Sequence, residues 1–62
     1  MGRYQVETAN TRRAYPTKQR ALEAAQSYCY QHRYQEASVY NTRGRLVMRY
    51  WWEGQGLQYI EY

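Results

Sequence analysis

RLVMRYWWEGQG, residues 45–56, decides how the chain folds. A β-strand turns successive side chains to opposite faces. The stretch predicts a long strand over 45–53, with Leu46, Met48, Tyr50 and Trp52 on one face. Arg45, Val47, Arg49, Trp51 and Glu53 share the other. The first set suits a core. The second places a tryptophan beside two arginines, on a face that a core does not require.

Flanking segments extend the pattern in both directions. NTRG, residues 41–44, has the Asn and Gly of a turn. Before it, QEASVY (35–40) alternates Ala37 and Val39 against Glu36, Ser38 and Tyr40. After the strand, GQG (54–56) turns the chain back into LQYIEY (57–62). There Leu57 and Tyr59 oppose Gln58, Ile60 and Tyr62, and the pattern leaves open which set faces inward. The last three strands, joined by short turns, predict an antiparallel meander.

Further upstream, TKQRALEAAQSYCYQH (17–32) reads as a helix. Pro16 blocks an earlier start and Thr17 can cap it. Ala21, Leu22, Ala25, Tyr28, Cys29 and His32 fall on one helical face, while Glu23, Gln26, Ser27 and Tyr30 fall away. Glu23 follows Arg20 by three positions, a weakly supportive pair. RYQVET (3–8) alternates as a half-buried strand. ANTRRAYP (9–16) is polar, ends in proline and reads as a loop carrying Arg12 and Arg13. The expected fold is of the α/β (α+β) class, a single domain over 1–62. It has two layers, one helix on a four-stranded, mostly antiparallel sheet in the order β-α-β-β-β.

Composition narrows the function. With 62 residues the core is small. The nine tyrosines and two tryptophans argue against disorder. Tyrosine must supply much of the core and still satisfy its hydroxyl, so half-buried tyrosines are expected at the core's edges. Cys29 is the one cysteine, which fits a reducing cytoplasm and excludes a disulfide framework. No apolar run approaches membrane-spanning length, there is no signal peptide, and Gly2 lacks the context of a myristoylation site. No membrane association is expected.

The formal charge is +4, carried by arginines with one lysine and opposed by five glutamates, with no aspartate. Arginine gives planar bidentate contacts to phosphate or carboxylate and stacks on aromatic rings. A face with Tyr40, Arg45, Arg49 and Trp51, helped by Arg12, Arg13 and Arg43, therefore suggests a binding surface for a nucleic acid or a nucleoprotein complex. It equally suits a protein interface, including a homodimer that buries Trp51 and Val47. Catalysis is not expected. Cys29 and His32 stand three apart, but no acid orients them and two further zinc ligands are missing. Cys29 reads better as a core residue and His32 as a helix-end residue. EGQG is too short for a phosphate loop and no helix follows it. No metal, cofactor or small-molecule substrate is expected.

The strand-helix-strand-strand-strand layout, with the alanine-rich ALEAAQSYCY (21–30) followed by ASVYNTRGRLVMRY (37–50), resembles that of some small phage-encoded anti-CRISPR-type proteins. The resemblance lies in architecture, size and charge, and it carries no residue roles. It implies a compact inhibitor that docks on a CRISPR surveillance complex, often competing with DNA, by covering an acidic protein surface or by holding the guide RNA or target DNA. The positive charge excludes an acidic DNA mimic.

Overall fold

A computed structural model describes residues 2–62. The elements are β1 (Tyr4–Glu7), β2 (Arg12–Tyr15), α1 (Lys18–Gln31), β3 (Ala37–Tyr40), β4 (Leu46–Glu53) and β5 (Gly56–Glu61). All strands join one antiparallel sheet in the order β2-β1-β3-β4-β5. The helix covers one face.

The sheet has five strands where four were expected, because Arg12–Tyr15 is a strand and not a loop. It was hidden because RRAY lies mostly exposed at the sheet's edge and shows no apolar alternation. What makes it a strand is pairing with β1, closed by a threonine clasp. Thr8 N–H donates to Thr11 O at 2.8 Å, Thr11 N–H donates to the Thr8 hydroxyl at 3.2 Å, and the two hydroxyls lie 2.7 Å apart.

The helix forms where the sequence placed it. The Thr17 hydroxyl accepts from Arg20 N–H at 3.2 Å, filling one of the orphan donors of the first turn. Ala21, Ala25 and Cys29 are fully buried, so the helix lies close against Val6, Ala37, Val39, Met48 and Tyr50. The small side chains permit this close approach.

Several inward assignments change. His32 is exposed, because it caps the helix C-terminus instead of continuing the buried face. Gln26, expected to point away, donates from Nε2 to the Tyr50 hydroxyl at 3.0 Å and so satisfies a buried phenol. Glu23 accepts from Gln19 at 3.3 Å and does not pair with Arg20. Leu46 is only half-buried. A register shift at Val39/Tyr40 sets it opposite Tyr40 and breaks the alternation there. In β5 the ambiguity resolves: Leu57 pairs with Trp52 and Tyr59 with Tyr50, on the helix side.

Candidate binding surfaces

The face of the sheet away from the helix is uncovered. Cross-strand partners share a face, so the register places Gln5, Glu7, Arg12, Ser38, Tyr40, Arg49, Trp51, Gln58 and Ile60 there. Trp51 thus faces away from the helix, as its position in the strand predicted.

The charges on this face neutralise one another. The Arg12 Nε donates to Gln5 Oε1 at 2.6 Å, its Nη1 lies 3.7 Å from Glu7, and its guanidinium covers the Tyr40 ring at 4.9 Å. The Tyr40 hydroxyl donates to Glu7 at 3.0 Å. That bond holds the phenolic proton and raises the Tyr40 pKa, with burial adding to the shift. Arg49 Nε lies 3.6 Å from Glu36 and, among the described residues, is the buried side-chain polar atom left without a hydrogen bond. The Trp51 indole donates to Glu53 at 3.2 Å. Arg12, Arg49 and Trp51 are therefore each committed to a glutamate.

Arg13 is separated from them. It pairs with Val6 and so lies on the helix side of the sheet. The expected Arg12-Arg13 loop patch does not exist, because a strand sends the two side chains to opposite faces.

Arg43 and Arg45 lie in the β3–β4 turn, which is built around Asn41. Its Oδ1 accepts from Arg43 N–H at 2.9 Å and Arg45 N–H at 3.0 Å, while Gly44 supplies the positive φ of 81°. The topology brings other cations to this end of the sheet. β1 begins here, so Arg3 is here; β2 ends here, so the helix begins here with Lys18. Gly2 lies close enough to Thr42 that a Cβ on it would come within 2.5 Å of the Thr42 carbonyl oxygen. Among the described residues, none of Arg3, Lys18, Arg43 and Arg45 has a carboxylate within ion-pair distance. Lys18 also sits in a helix first turn that contains no acidic residue, where a cation opposes the macrodipole. The opposite end of the sheet carries Glu7, Glu36 and Glu53, while Glu61, paired with Met48, lies at the cation end.

Sequence reasoning missed a second aromatic cluster. Trp52 lies on the helix side at the rim, where the Arg33 guanidinium covers its ring at 4.3 Å and Tyr30 meets it edge-on at 5.2 Å. A shallow surface concavity lined by Arg33, Tyr34, Gln35, Glu36 and both tryptophans adjoins it. The HRYQE run before β3 held the signal, an arginine–tyrosine pair immediately after a helix end.

Cys29 is fully buried, with its thiol toward the Gln35 carbonyl at 3.9 Å. Burial pushes its pKa up, a backbone hydrogen bond from Ala37 opposes this, and the Glu36 charge adds to it. The thiolate is thus disfavoured, and His32 stacks on Tyr28 at 4.5 Å. No group of three or more His, Cys, Asp and Glu side chains comes together among the described residues. No helix among them is long and apolar enough to cross a membrane.

Compared with known proteins, the chain matches no family model, no curated protein and no solved structure.

Proposed function

We propose that the chain is a non-enzymatic binding module that docks on a nucleoprotein complex in the cytoplasm, with Arg43 and Arg45 leading its contacts to nucleic-acid phosphate. The observation that carries this reading is the separation of charge. Arg3, Lys18, Arg43 and Arg45 lie at one end of the sheet and, among the described residues, have no carboxylate within ion-pair distance, although Glu61 also lies at this end. Folding does not account for Lys18, since a cation at a helix N-terminus costs stability. A phosphate backbone would offset that cost. The Asn41 turn presents Arg43 and Arg45 on an ordered backbone, which lowers the entropy lost on binding.

The neutralised sheet face has a different use in this reading. Arg12, Arg49 and Trp51, with Tyr40 beside them, suit a protein surface better than a phosphate track, because their charges are already matched. An inhibitor of the anti-CRISPR kind would use both surfaces, holding the nucleic acid at one end and the protein on the sheet.

The test is fluorescence anisotropy with labelled single- and double-stranded DNA and RNA at two salt concentrations. Binding is expected to weaken steeply with salt. Arg43→Ala and Arg45→Ala should each reduce the log–log salt slope by roughly 0.7–0.9 for each phosphate that is no longer neutralised. Arg49→Ala should leave the slope unchanged. Absence of binding at low salt to every one of these nucleic acids would sink the reading.

A further inference from the structure

The two edges of the sheet differ in how they are protected. β2 is four residues long, begins with two adjacent arginines and is followed by Pro16. Short length, charge and proline all discourage a foreign strand. β5 is six residues long, with neither lysine, arginine nor proline. Among the described residues, the exposed large apolar or aromatic side chains include Tyr59 (61% exposed), Ile60 (44%) and Tyr62 (60%) on β5 or just after it, with Tyr30 and Tyr34 elsewhere.

The backbone at this edge can be assigned residue by residue. Tyr62 N–H donates to Val47 O at 3.1 Å, continuing the β4–β5 register. In an antiparallel ladder, alternate residues direct both N–H and C=O to the same neighbour. Tyr62, Ile60, Gln58 and Gly56 therefore bond β4. Leu57, Tyr59 and Glu61 turn their N–H and C=O outward, away from the sheet.

We propose that β5 is a homodimerisation edge, on which two copies of this chain pair their β5 strands antiparallel about a two-fold axis at Tyr59. Leu57, Tyr59 and Glu61 of one copy meet Glu61, Tyr59 and Leu57 of the other, with backbone bonds in both directions at each pair. Every outward group finds a partner. Centring on Glu61 would oppose two like charges, and centring on Leu57 would leave Glu61 unmatched. A two-fold axis normal to the sheet keeps both helices on one side, so Tyr59 packs on its copy there. On the other face Ile60 meets Gln58. The occupant is a second copy because the edge is self-complementary in length, register and bonding groups. Charge agrees: in this register each Glu61 lies opposite Leu57 of the other copy, and the Arg43–Arg45 turns of the two copies lie at opposite ends of the joined sheet. This inference stands independently of the nucleic-acid reading.

Sedimentation velocity over a wide concentration range, combined with amide hydrogen exchange on the full chain, tests it. The expected result is a reversible monomer–dimer equilibrium in which the amides of Leu57, Tyr59 and Glu61 become protected only in the dimer. Tyr59→Pro removes an outward donor while sparing the β4 ladder, and Ile60→Lys places a charge on the edge. Each should weaken dimerisation by at least about tenfold, and Ile60→Lys remains informative if the proline variant fails to fold. A chain that stays monomeric throughout overturns the proposal. So does a dimer that survives both variants, or one that Trp51→Ala dissociates while the β5 amides exchange freely. Protection of those amides only when another protein's strand is added would also overturn it.

Discussion

Asn41 shows how one side chain can set a functional geometry. Its Oδ1 accepts two backbone N–H groups of the following turn, and its own N–H and C=O bond Arg45 O at 2.8 Å and Gly44 N at 2.9 Å. Removing the amide leaves two donors to water and frees the turn that presents Arg43 and Arg45. Asn41→Ala is expected to cost about 1–2 kcal/mol in urea unfolding, and Asn41→Asp, which keeps the acceptor, distinctly less. An unchanged midpoint for Asn41→Ala would mean that Gly44 and the β3–β4 pairing alone hold the turn. Much was legible at this scale. Trp51 turning away from the helix, Thr17 as cap and Cys29 as core all follow from spacing. The commitment of Arg12 and Arg49 to glutamates was not legible, because Glu7 and Glu36 lie on other strands or loops and only pairing brings them near.

At the scale of elements, the helix–sheet contact depends on small residues. Ala21, Ala25 and Cys29 leave no space between the helix backbone and β1, β3 and β4. Ala25→Leu should overpack this seam and cost about 1–3 kcal/mol. Ser27→Leu, on the exposed side, should stay within about 0.5 kcal/mol of the original. Equilibrium unfolding of the pair measures the contrast, and equal effects would show that the helix can move outward freely. The helix was readable because a proline, a cap and a periodic apolar face agree. β2 was unreadable because an exposed edge strand needs no apolar pattern, only a neighbour with free hydrogen-bonding groups. β5's inward face was likewise undecided until β4 fixed its register.

The whole molecule separates charge along the strand direction. One end holds Arg3, Lys18, Arg43 and Arg45 together with Glu61, and the other holds Glu7, Glu36 and Glu53. With a single basic end per chain, a short oligonucleotide should bind one per chain, in the monomer and in the β5 dimer alike, since pairing leaves the two basic ends at opposite extremes. Titration calorimetry with a short oligonucleotide checks this. A stoichiometry of one per dimer would require the cation clusters to lie together, contrary to an antiparallel edge.

The sequence by itself determined the local order of this protein. Alternation specified β1, β3, β4 and β5, the 3.6-residue period specified the helix, and proline, glycine and asparagine specified where the helix starts and where the chain turns after β3 and β4. These follow from contacts between residues near one another in the chain. Composition also announced an arginine- and aromatic-rich surface. Only the tertiary structure decided which arginines are free. Arg12 and Arg49 have their charge matched by glutamates from elsewhere in the chain, Arg13 goes to the other face, and Arg3, Lys18, Arg43 and Arg45 lie at one end. Electrostatic energy depends on distance in space, and strand pairing sets those distances through hydrogen bonds that leave almost no trace in side-chain identity.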